Sequence, residues 1–145
     1  MPDDLALATG TAARADAPLR VKGLDHVVLR VSDMDRAIAF YEQVLGFSCD
    51  YSAGQPLQFA ICTRDGHAIM LRGVSTPELI TPVEKQGGTW DAFFWVRDVR
   101  ALHEELAGRG AEIVYGPIVQ QAYNMEEFAV RDHNGYVLGF GQALG

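Results

Sequence analysis

The sequence predicts an α+β protein built from two paired βαβββ modules, and three observations carry that prediction. An alternating stretch, "LDHVVLRV" at residues 24–31, gives way at once to a helical period in "SDMDRAIAFYEQVLG". Three more short strand-like runs follow it. From Trp90 onward the same order returns: Val31 and Asp33 recur as Val96 and Asp98, Tyr51 as Tyr115, and Phe59, Ala60 and Gly66 as Phe128, Ala129 and Gly135, at offsets of 64 to 69 positions. Such self-similarity governs the fold, because each five-element unit has a sheet face it cannot cover alone, so the two units should pair.

In the first strand, alternation places Val27, Leu29 and Val31 on one face and His26, Val28 and Arg30 on the other. Ser32 with Asp35 resembles a capping box, Ala37, Phe40, Tyr41, Val44 and Leu45 share one helical stripe, and Gly46 can close the helix. "FSCDY", "QFAICT" and "AIMLR" read as strands, with turns at residues 52–56 and 64–66. The stretch 73–88, with its prolines and terminal glycines, is the natural connector. "WDAFFWVRDVRALHEELAGRGAEIVY" then supplies a strand, a helix with Val99, Leu102 and Leu106, a stop at Gly110 and another strand. "FAVRDHNGYVLGFG" closes the chain as a hairpin turning at Asn134–Gly135, although Gly139 stands where a strand side chain should project. The expected domain is residues 21–145, with module 1 at about 22–73, a linker at 74–88 and module 2 at about 89–142. The alanine-rich residues 1–20 read as a flexible leader without the basic start and apolar run of a signal peptide.

Composition narrows the function classes. Twelve basic against nineteen acidic residues give a net charge of −7, which argues against phosphate-backbone binding, so no nucleic-acid partner is expected. No run approaches the roughly 18 apolar residues of a membrane span. The two cysteines, Cys49 and Cys62, lack metal or redox spacing and read as reduced core or pocket thiols, which places the protein in the cytoplasm. His67, His103 and His133 are expected to face solvent. "GRGAE" at residues 108–112 follows a helix and so is a helix stop rather than a phosphate loop, and no serine-hydrolase motif occurs.

"LDHVVLRVSDMDRAIAFYEQVLGF" together with "FAVRDHNGYVLGFGQ" resembles the vicinal oxygen chelate superfamily, which includes glyoxalase I, extradiol dioxygenases, fosfomycin-resistance enzymes and bleomycin-resistance proteins; the resemblance spans residues 22–142. It implies sheets that curve into a cup of mixed strands, helices on the convex side, and a metal or ligand inside. Enzymes of the family hold a divalent metal on the first and fourth strands of each module, and those positions here are His26, Met70, Asp91 and Gly139. The internal repeat agrees, pairing His26 with Asp91 and Met70 with Gly139. A catalytic divalent ion needs about three protein ligands or several hard oxygens. One histidine and one aspartate do not supply them, so no metal, cofactor or catalytic residue is expected, and the metal-free bleomycin-resistance-like members are the better comparison.

The expected ligand surface consists of His26, Arg30, Met70, Asp91, Phe93, Trp95, Tyr123 and Glu127, with Arg72 and Met125 beside them. Aromatic faces near carboxylates suit flat, hydrophobic or cationic compounds. Each residue also has a plainer role: Phe93, Phe94 and Trp95 as sheet core, His26 as a hydrogen-bonded interior histidine, and Asp91 in an ion pair with His26, Arg30 or Arg72. The resemblance further implies a groove shared between two subunits, hence a homodimer that sequesters a small molecule. The alternatives are a glyoxalase- or dioxygenase-type enzyme with an atypical site on His26, Asp91 and Glu127, and a structural or regulatory partner domain without a small ligand.

Overall fold

A computed structural model describes residues 17–145, so residues 1–16 of the expected leader lie outside the described residues. The element order is β1 (His26–Val31), α1 (Met34–Gln43), β2 (Ser48–Ala53), β3 (Phe59–Arg64) and β4 (His67–Gly73), then β5 (Ala92–Trp95), α2 (Val99–Gly108), β6 (Glu112–Gln120), β7 (Met125–Arg131) and β8 (Val137–Ala143). Between the halves run two short 3-10 turns, Pro77–Leu79 and Val83–Gln86. The α+β architecture of two βαβββ units follows the sequence repeat. The strands form two four-stranded sheets ordered β1-β4-β3-β2 and β5-β8-β7-β6. In each, the strand before the helix pairs in parallel with the last strand of its module, and the other pairings are antiparallel.

Both helices start on an aspartate whose carboxylate accepts an amide of the first turn: Asp33 from Arg36 N and Asp98 from Ala101 N, each at 3.0 Å. The cap is therefore Asp33 rather than Ser32, and it is the residue that the repeat equates with Asp98. After α1, Gly46 adopts φ +73°, which glycine accepts without steric cost and which turns the chain into β2.

One face of each sheet is covered by its own helix, and the covered faces share a single core. Leu29, Val31, Ile69 and Leu71 of the first sheet join Phe128, Val130, Leu138 and Phe140 of the second through Ala37, Tyr41, Val99 and Leu106 of the helices. Several contacts lock the modules together. Phe47 meets Phe94 edge to face at 6.2 Å, Arg64 donates to both oxygens of Glu105 at 2.9 and 2.7 Å, and the buried Tyr41 hydroxyl donates to Asp132 at 3.1 Å.

Three sequence expectations are corrected here. Cys49 and Cys62 are joined as a disulfide between β2 and β3, and Cys62 is fully buried on the helix-covered face, so neither is a reduced thiol and Cys62 does not face the cup. That removes the ground for expecting a cytoplasmic setting. His103 is not solvent-facing, because it packs edge to face on Phe128 at 5.2 Å. His133 is half-buried against Phe40 at 5.5 Å, and desolvation lowers its pKa.

Candidate ligand site on the open sheet faces

The faces that the helices do not cover bring the expected site residues into view. In the first sheet, register places Val28 beside Met70 and Arg30 beside Arg72, while Ile61 lies opposite Met70 and Phe59 opposite Arg72. Val28 is 52% and Tyr51 55% exposed, although their strands continue into a dense core on the reverse side. Tyr51 and Phe59 pack as a tilted pair at 5.7 Å. His26 begins this face, and its Nδ1 lies 2.7 Å from a carboxylate oxygen of Asp25.

In the second sheet, Phe93 lies opposite Gly139 and Trp95 opposite Gly141, with Ala129 beside Gly139 and Glu127 beside Gly141. Here the missing side chain at Gly139 finds its reason. A Cβ there would come 2.5 Å from Phe93 Cδ2 and 2.7 Å from Trp90 Cδ1, and one at Gly141 would come 2.7 Å from Phe93 Cζ. Real Cβ atoms do not approach so closely, so the two glycines let the Phe93 ring lie flat on the strand with Trp90 edge-on at 4.8 Å. The gap left at Gly139 is filled by the rings of Phe93 and Trp90.

Glu127 is only 1% exposed. One carboxylate oxygen accepts from the Tyr123 hydroxyl at 2.8 Å and the other from the Tyr115 hydroxyl, which in turn accepts from Trp90 Nε1 at 2.9 Å. Burial, reinforced by the bond to Glu127, raises the pKa of Tyr115, and the same two causes raise that of Tyr123. Neutral phenols thus wrap the carboxylate, which is satisfied within the fold and not bare in the cup. Sequence reasoning missed Trp90 and Tyr115; the repeat that equates Tyr51 with Tyr115 was the available signal.

Asp91 departs most from expectation. It meets neither His26, Arg30 nor Arg72. Its Oδ1 accepts from Val83 N and its Oδ2 from Val137 N, both at 2.9 Å, so it clasps the connector to the start of β8. Asp91→Ala would leave two partly buried amides without partners and is expected to cost about 2–4 kcal/mol of stability in a denaturant titration. Trp95, by contrast, is 73% exposed, which excludes it from the core.

The four family-equivalent metal positions do not fit a divalent ion. Asp91 has both oxygens engaged by backbone amides, the position of Gly139 is covered by Phe93, Met70 is a soft ligand, and the remaining His26 is tied to Asp25. Among the described residues no group of three or more His, Cys, Asp or Glu side chains converges.

An open cleft of about 830 Å³ lies elsewhere, between the modules on the helix-bearing side. Of the expected ligand residues only Trp95 reaches it. Part of its polar wall serves the fold, since Arg64 donates to Glu105 and to the Leu45 carbonyl and holds the Glu105 carboxyl below its usual range. We therefore place the candidate site on the open sheet faces, where aromatic and charged groups stand uncommitted.

Comparisons with known proteins agree with this architecture. No curated protein matches the chain. Among solved structures, TioX from Micromonospora sp. ML1 is 25% identical with a TM-score of 0.65, over 84% of this chain and 100% of its own. A virulence protein from Salmonella typhimurium is also 25% identical, with a TM-score of 0.62 over 87% of this chain and 100% of its own. TnmS3, an antibiotic binding protein from Streptomyces sp. CB03234, shares the fold at 21% identity and a TM-score of 0.65, covering 88% of this chain and 100% of its own. Residues 23–140 match the family described as the Glyoxalase/Bleomycin resistance protein/Dioxygenase superfamily. With its doubled βαβββ modules and most of its length inside that match, the chain belongs to this superfamily.

Proposed function

We propose that the protein binds an organic small molecule on its open sheet faces, in the manner of bleomycin-resistance-like members, without using a divalent metal and as a homodimer. The observation that carries this reading is the exposure of Val28, Tyr51 and Trp95 on the sheet faces turned away from the shared core. Large apolar groups left exposed on sheet faces mark places to be covered. The metal-position residues support the same reading, because their donors are missing or engaged. That TnmS3, of the same fold, is an antibiotic binding protein supports such a use of the architecture.

The arrangement of the halves supports the homodimer. The two open faces belong to repeated units, yet no hydrogen bond or aromatic contact among the described residues joins one face to the other. A two-fold pairing that sets module 1 of one copy against module 2 of another would close both faces at once and leave none unpaired.

Trp95→Ala tests the reading. Because Trp95 is exposed, the substitution should change stability by no more than about 0.5 kcal/mol. Saturable quenching of tryptophan fluorescence across a panel of aromatic compounds should weaken sharply or vanish. Undiminished quenching in the variant, or none in the wild-type protein, would count against the site.

A further inference from the structure

We propose that the open face of module 1 is built for an aromatic guest carrying an anionic group, which Arg30 and Arg72 hold while Phe59 and Tyr51 receive the ring. This rests on the small-molecule reading above and departs from the sequence-based expectation of a hydrophobic or cationic compound. Arg30 and Arg72 are direct cross-strand neighbours on β1 and β4, both exposed, and both on the face that carries Val28 and Met70. Like charges set directly opposite each other destabilise a sheet, so the arrangement needs a compensating partner. Among the described residues no carboxylate supplies it, whereas Arg64, Arg100, Arg109 and Arg131 each hold one. Arg30 reaches only the Thr81 hydroxyl, at 3.4 Å. Asp25, the acid that precedes β1, stands five residues before Arg30, roughly 16 Å along an extended strand, and is engaged with His26.

The apolar half of the site adjoins the charged half. Phe59 is paired directly with Arg72 across β3 and β4, and its ring packs on Tyr51. Planar guanidinium groups donate paired hydrogen bonds to carboxylates, sulfonates and phosphates, and they stack on aromatic rings. On the second sheet, Glu127 is enclosed by Tyr115 and Tyr123, so it offers no bare charge to attract a cation. The uncommitted charge on these faces is therefore positive.

Two fluorescent probes with one ring system test this: 8-anilinonaphthalene-1-sulfonate, which is anionic, and N-phenyl-1-naphthylamine, which is neutral. The full chain should bind the sulfonate at least about ten-fold more tightly at low salt, as expected for hydrogen bonds to a charged group. The gap should narrow as salt rises. In the Arg30→Gln, Arg72→Gln double variant the two affinities should converge while that of the neutral probe is kept. Equal affinities in the wild-type protein, or an unchanged preference in the double variant, would overturn the anion site and leave the binding reading standing. Failure of both probes to bind the wild-type protein would overturn both. Loss of both probes in the double variant, together with a change of mass by light scattering, would assign the arginines to a subunit contact and overturn the anion site.

Discussion

Asp132→Ala is expected to lower the unfolding free energy by about 3 kcal/mol, because it orphans buried donors from both modules. Asp132 is 3% exposed and accepts from the Tyr41 hydroxyl of α1 and from the amides of Asn134 and Tyr136 in the last hairpin turn. Tyr41 is wholly buried, and this bond is the one its hydroxyl makes among the described residues. The loss should appear as a lower denaturant midpoint with an unchanged slope. Asp132→Asn keeps an acceptor for the two amides and should cost no more than about 1 kcal/mol.

The same residue gives stability a pH dependence of definite sign. Burial outweighs the three hydrogen bonds and pushes the Asp132 pKa up to about 6 from 3.8. The folded protein therefore binds the proton more tightly than the unfolded chain. The stabilisation is fully present below about pH 4 and is lost as pH rises through about 6, amounting to about 3 kcal/mol. Denaturant titrations between pH 4 and 7 should show this component in the wild-type protein and not in Asp132→Asn. A component of opposite sign would mean that the carboxylate is held ionised by its donors.

Gly139→Val is the second large effect, with an expected cost of about 2–3 kcal/mol. The new Cβ would meet Phe93 Cδ2 at 2.5 Å and Trp90 Cδ1 at 2.7 Å. Neither ring yields easily: they pack on each other, and Trp90 is held by its bond to Tyr115. Displacing them should shift Trp90 emission toward the red, and a Phe93 ring driven off the strand would intrude on the open face and weaken guest binding. Unchanged emission and stability in the variant would show that the glycine has no such packing role.

The fold was legible because two kinds of periodicity agreed. Strand alternation separated Leu29 and Val31 from Val28 and Arg30 as the structure does, and the repeat linked Asp33 to Asp98, which proved to be the two helix caps. The site was legible only in part. Alternation put Phe93 and Trp95 on one face, as does their register opposite Gly139 and Gly141, but it could not say what fills a gap or satisfies a charge. Asp91 was read from its strand position, whereas its carboxylate turns to the backbone amides of Val83 and Val137, partners set by the path of the connector. The disulfide escaped for a similar reason: Cys49 and Cys62 become neighbours only through the register of β2 and β3, which is irregular between Ser48 and Tyr51.

Native mass spectrometry of the protein as purified from cells, before and after dialysis against a chelator, tests the central account most directly. The account predicts a dimer that retains an organic guest and carries no metal mass. A stoichiometric divalent ion whose removal releases the guest would contradict it.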